Sequence, residues 1–191
     1  MGAKKALLEY LQTGRDALVW KLEGASEYDV RRPLTVTGTN LLGLVKHVAA
    51  VEAAYLCDTF GRPFPEEFGC FADGAEVNDD MWATADESRE DLVAQYRRVW
   101  AHSDATVELL DLDALGTVPH WPAERGPVTL HEILVRVIAE THRHAGHADI
   151  VRELVDGSAG MIPGNENLPG EGAEWWAAYR ERLQRVADGF R

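Results

Sequence analysis

Cysteine is scarce in this 191-residue chain, which has only Cys57 and Cys70. Two thiols, with no secretory leader ahead of the first helix, make no disulfide framework and are read as reduced thiols of a cytosolic protein. Long apolar runs are also missing, so no membrane span is expected. Positive charge is in deficit: 19 Lys and Arg face 32 Asp and Glu, a formal net charge of −13. Such a balance repels nucleic-acid phosphates and anionic membranes, and neither is an expected partner. No strand pattern, internal repeat or low-complexity tract competes with helix. What remains is 46% hydrophobic residues, enough for one domain spanning residues 1–191 with a proper core. A soluble, cytoplasmic protein is expected.

Helical periodicity runs through most of the chain. Leu7, Leu8, Leu11, Ala17, Leu18 and Leu22 form an apolar stripe over about residues 4 to 23, stopped by Gly24. Residues 31–39 read as an extended connector, after which Thr39 or Asn40 can cap a second helix from Leu41 to Phe60. Residues 61–80 are rich in Pro, Gly, Phe and acid, too long for a simple bundle turn. Thr84 or Ser88 can cap a third helix reaching about Leu110, with Leu92, Tyr96, Val99 and Trp100 as its buried stripe. Thr129 and Glu132 form a capping box ahead of a fourth helix that ends at Gly157. A last helix covers about Glu174 to Ala187 and carries Trp175, Trp176 and Tyr179. The expected fold class is therefore all-α, a four-helix bundle with a short additional C-terminal helix.

Chemistry concentrates on the fourth helix. Glu140 and His144 are one turn apart and His147 follows three residues later, so the three side chains share a face with Ile133, Val137 and Val151. A carboxylate directed at a core is costly unless it is paired or binds a metal. Bundles build interior metal sites from such one-turn pairs plus a ligand from a facing helix, a place open to His47 on the second helix. Two histidines and a carboxylate with an open position suit zinc, and would also hold nickel, iron or manganese. The alternative is structural: histidines late in a long helix favour its dipole, and Glu140 can pair with Arg136 or Arg143 at the surface. His147 reads as a further ligand or as a group behind the ligands. The helical wheel turns His142 away from Glu140, to the surface. His131 lies in the first turn of the fourth helix, His102 and His120 lack a partner at ligand spacing, and all three read as structural. Cys57, about 15 Å along the helix from His47, reads as a core residue.

Several strings together resemble the DinB-like helical bundle superfamily, in its actinobacterial branch related to mycothiol-dependent maleylpyruvate isomerase and the mycothiol S-transferases. They are Asn40 to Val48 around His47, Asp80-Met81-Trp82, Glu140 to Asp149, and Trp175-Trp176. The resemblance implies an up-down-down-up bundle with a divalent metal held by His47, Glu140 and His144. The commoner family pattern has histidine where Glu140 stands and glutamine where His147 stands. Glutamate at the first position is similar to the isomerase branch. His147 leaves the count at three or four protein ligands, and four would close the site.

The function expected is a metal-dependent thiol S-transferase that uses mycothiol on small electrophiles, with His147 orienting a ligand or shuttling a proton and Trp82 at the pocket mouth. The same open position would serve a hydrolase through activated water. A third class is a non-catalytic metal-binding or small-molecule-binding stress protein. A homodimer is also expected, from the family resemblance and from the apolar surface of Trp175-Trp176.

Overall fold

Four long helices follow from four strong apolar stripes, and three of them start where a side chain can satisfy free backbone N–H groups. The computed structural model describes residues 2–72 and 74–191. Helix α1 spans Ala3–Trp20, and a short α2 spans Glu27–Arg31. Helix α3 covers Leu41–Glu52, its N-terminus capped by Asn40, which accepts from the Gly43 N–H at 2.8 Å. Helix α4 covers Arg89–Leu109 behind the Ser88 cap, and α5 runs Leu130–Asp156 from the full Thr129–Glu132 capping box to Gly157 at φ +77°. Helix α6 covers Ala173–Asp188.

Contacts along the helices fix their directions. Tyr10 meets His142 and Lys21 meets Asp149, so α1 and α5 run parallel. Lys46 pairs with Glu87 and Cys57 lies against Ser103, so α3 and α4 run parallel. His47 meets Glu140 while Tyr55 lies under Arg136, which sets α3 antiparallel to α5. The order is up-down-down-up, as the resemblance implies.

The interior has two apolar halves. One gathers Leu18, Leu42, Val45, Leu92, Val99 and Val151; the other gathers Leu11, Leu56, Leu130, Ile133, Leu134 and Val137. Between them, at intermediate positions on α1, α3 and α4, lies a polar layer. Arg15 donates to both Glu52 carboxylate oxygens, at 3.1 and 2.5 Å, and to Asp104 at 2.9 Å. The Arg15 and Glu52 side chains are completely buried. Burial pushes the Glu52 carboxyl upward and Arg15 opposes it. Burial would lower Arg15, but Glu52 and Asp104 outweigh it and hold the guanidinium charged.

The structure alters several sequence-based expectations. The connector read over residues 31–39 is not wholly extended: Arg31 closes the short α2, which Ser26 caps by accepting from the Asp29 N–H, and the Gly38 N–H donates to the Thr35 carbonyl in a turn. Asn40 caps α3 and Ser88 caps α4, which settles both open choices. The second helix is not regular to Phe60: after Glu52 it widens to a π turn at Ala53–Cys57, then tightens to a 3₁₀ turn at Asp58–Phe60. A minimal antiparallel pair, β1 Leu115–Gly116 with β2 Val128–Thr129, leads into α5. No described helix is long and apolar enough to cross a membrane. Trp175 and Trp176 pack edge-on against each other, and Trp175 stacks on Tyr179. Both cysteines are free, and Cys57 is buried.

Candidate metal centre

His47, Glu140 and His144 converge, each offering one ligand atom, with all three atoms within 4.8 Å of one another. Helix α5 supplies two of them because four residues return a side chain to the same face. His144 Nε2 stands 3.0 Å from Glu140 Oε1, and His47 Nε2 stands 3.5 Å from the same oxygen. The two imidazole rings lie edge to face, 4.7 Å between centres. His144 is buried, whereas the Glu140 side chain is 36% exposed. Glu140 thus stands at the rim of the interior rather than in the core, which corrects the expectation from periodicity and leaves a side open to solvent.

His47 is oriented by a residue that spacing did not single out. Its Nδ1 donates to Asp80 Oδ2 at 2.6 Å. A neutral ring that donates through Nδ1 keeps its lone pair on Nε2, and this nitrogen faces a carboxylate oxygen. With His144 Nε2 and Glu140 Oε1 beside it, the three form a nitrogen–oxygen–nitrogen donor set of the kind that fits a divalent metal. An aspartate behind a histidine in this way fixes the tautomer and makes the ligand more basic.

The segment carrying Asp80 is held closely. Any Cβ at Gly43 would fall 1.8 Å from the Met81 carbonyl oxygen, so only glycine lets this segment approach α3. Asn40 donates to the same carbonyl at 3.1 Å, and Lys46 donates to the Trp82 carbonyl at 3.1 Å while pairing with Glu87 at 2.8 Å. Trp82 itself is half exposed and contributes a backbone carbonyl.

Electrostatics favour the ligating forms. Partial burial would raise the Glu140 carboxyl, but His144 and His47 outweigh it and hold it below the usual carboxylate range. Burial, and then the neighbouring His47, hold the His144 imidazole below its ordinary value against the pull of Glu140. A carboxylate and a neutral imidazole are what a metal requires.

His147 lies outside the group of three. Its Nδ1 meets the far nitrogen of His144, Nδ1, at 3.4 Å, and the residue is exposed. His142 is not a free surface residue. It donates to the Tyr10 carbonyl at 2.9 Å and packs against Gly14, so the side of α5 opposite Glu140 faces α1. His102 bonds the Arg62 carbonyl and His120 the Tyr55 hydroxyl, and His131 is exposed.

An up-down-down-up bundle with a His–Glu–His cluster between its second and fourth long helices defines a DinB-like protein. Residues 6–157 match the mycothiol S-transferase family, and the chain belongs to that family. A solved structure is similar in fold, the crystal structure of the conserved protein of locus from Enterococcus faecalis. It covers 83% of this chain and 99% of its own, with a TM-score of 0.59 and 17% identity. No curated protein matches the chain.

Proposed function

We propose that this protein is a divalent-metal-dependent thiol S-transferase that joins mycothiol to a small electrophile, with zinc as the first choice of metal. The observation that carries the reading is the convergence of His47, Glu140 and His144 in a chain of the mycothiol S-transferase family. A divalent cation in that position lowers the pKa of a bound thiol, so that a nucleophile is present at neutral pH. His47 and His144 would hold it through Nε2 and Glu140 through Oε1. Asp80 keeps the His47 proton on Nδ1 and so keeps Nε2 free for ligation. His147, exposed and touching His144 Nδ1, is the group placed to orient that ring and exchange a proton with solvent. The exposed side of Glu140 leaves room for the thiol sulfur to meet an electrophilic carbon. The S–H bond breaks and a C–S bond forms. In an addition the opened π or ring bond of the electrophile takes up the proton, and in a substitution the leaving group departs with its bonding pair while the proton goes to solvent.

Metal analysis of the purified protein is the first test, with about one divalent ion per chain expected. Titration of the cobalt-substituted protein with mycothiol, bacillithiol and glutathione is the second. Sulfur entering the coordination sphere adds a charge-transfer band. Turnover of an electrophile should then require the thiol and disappear in His47→Ala. No spectral change with any of the three thiols, in fully metallated protein, would overturn the reading.

A further inference from the structure

Beside Glu140 the surface of α5 opens into a groove of about 720 Å³ that runs back toward β2, lined by Trp121, Arg125, Arg136, Glu140 and Arg143. Arg136, Glu140 and Arg143 lie on one stripe of the helix, spaced four and three residues apart. Two guanidinium groups stack over a single indole: Arg125 Cζ lies 3.5 Å and Arg136 Cζ 4.9 Å from the Trp121 ring centre. Arg136 also lies 5.5 Å from the ring centre of Tyr55. Stacking fixes the guanidinium planes and leaves their N–H edges free.

Those edges are unused. Among the described residues, Arg125, Arg136 and Arg143 form no ion pair and no side-chain hydrogen bond, although the chain has 32 acids for 19 bases. The acid in the groove wall, Glu132, is engaged at the helix cap, where it accepts from the Thr129 N–H and hydroxyl at 2.8 and 2.9 Å. Glu140 is directed to the two histidines. A chain this acidic has gathered, among the described residues, three guanidinium groups without an ion pair along a groove whose wall includes Glu140 of the candidate metal centre.

We propose that this groove binds the oxyanion of an electrophilic substrate, a carboxylate or phosphate that Arg125 and Arg136 hold while the reactive carbon points toward Glu140; this rests on the thiol-transfer reading. Guanidinium forks match planar oxyanions with paired hydrogen bonds. Mycothiol, an N-acetylcysteine on a pseudodisaccharide, has no anionic group besides its thiol. The arginines therefore match the other substrate.

The test is calorimetry on the chelator-treated full chain, with 3,5-dinitrobenzoate, its methyl ester and phenyl phosphate as probes. Neither metal nor thiol is present, so its outcome is independent of whether the protein transfers thiols. At least one anion should bind ten times or more tighter than the ester, and the tighter anion names the preferred oxyanion. Its affinity should fall about tenfold in the Arg125→Gln/Arg136→Gln double variant and fall with added salt. Ester binding should change much less than anion binding in that variant. Arg125→Gln alone, at an exposed position, gives the same comparison with about half the effect if the double variant folds poorly. Equal binding of anions and ester, no anion binding without metal, or undiminished anion binding in variants that keep the wild-type circular dichroism spectrum would overturn the proposal.

Discussion

The Arg15–Glu52–Asp104 layer and the His47–Glu140–His144 cluster are both polar groups built against α3, yet they are balanced differently. The first holds its own cation, with Arg15 and Glu52 both completely buried. The second holds a carboxylate and two imidazole nitrogens with no Lys or Arg among its members, and its carboxylate is partly open to water. Burial without charge balance is costly; in the first group the buried pair, Arg15 and Glu52, is matched one to one and the second carboxylate, Asp104, is 38% exposed, so the group is complete as it stands. The second tolerates imbalance because solvent reaches it, and that opening is also where a ligand could enter. Charge balance separates a group that holds the fold from one available for chemistry.

The sharpest way to break this comparison is to remove the buried carboxylate. Glu52→Ala leaves the buried Arg15 with the partly exposed Asp104 as its remaining carboxylate partner and should cost about 3 kcal/mol of stability, the low end for a broken buried pair. Its urea midpoint should drop accordingly, with metal content per folded chain unchanged. A loss under about 1 kcal/mol would show that Asp104 and solvent suffice to hold the Arg15 charge.

Glu140→Ala should do the reverse. It should abolish metal binding while the stability of the metal-free protein changes by no more than about 1 kcal/mol. Wild type in metal at a hundred times its dissociation constant should gain about 2.7 kcal/mol, and Glu140→Ala should gain none. His147→Ala should keep the metal, because His147 meets His144 on the far side of its ring. Equal metal loss in the two variants would make His147 a fourth ligand.

Asp80→Asn should have an intermediate effect. It keeps the size of the side chain but loses the charge that holds the His47 proton on Nδ1, so metal affinity should fall about 10–100-fold without being lost. A competition titration against a chelator reads this directly. Affinity within twofold of wild type would mean that Asp80 only secures the loop.

The parts of this picture that are local in sequence are those that sequence reasoning reaches. The Thr129–Glu132 cap and the Glu140–His144 pair each lie within a turn or so of helix, where spacing alone determines which side chains meet. His47 was open as a candidate from its place on a second helix, but the family resemblance was needed to join it to Glu140 and His144, since nothing local marks which residue of α3 faces α5. Asp80 is 33 residues from His47, and their contact depends on the path of a loop. Gly43 was the available signal, a glycine inside a helix, and its meaning appears only once Met81 is seen above it. Arg15 and Glu52 sit on stripes that are otherwise apolar, 37 residues apart, so periodicity could place each inside without pairing them. The helical wheel correctly turned His142 away from Glu140, but that side of α5 is covered by α1 rather than water. The short α2 is briefer than any periodicity window, and the π turn after Glu52 changes the face of α3 without a local signature.

The smallest effect belongs to an ion pair at the edge of the fold, between the buried Arg152 and the exposed Asp156, where the comparison predicts low stakes. Arg152 donates to the Lys21 and Glu23 carbonyls at the end of α1, at 2.8 and 2.6 Å, and pairs with Asp156 at 2.8 Å. The hydrogen bond from Arg152 is the main reason the Asp156 carboxyl is lowered to about 2, with Ser158 helping and slight burial opposing. Because the folded value lies below the unfolded one, the pair stabilises the fold fully above the ordinary aspartate range and loses that contribution as pH falls toward 2. The Asp156 side chain is 38% exposed, so solvent screening keeps the contribution below about 1 kcal/mol. Asp156→Asn should therefore lower the thermal midpoint slightly at pH 7, and its difference from wild type should shrink steadily below pH 4. A difference that grew on acidification would mean that Asp156 is protonated in the folded state and that Arg152 is held by the α1 carbonyls alone.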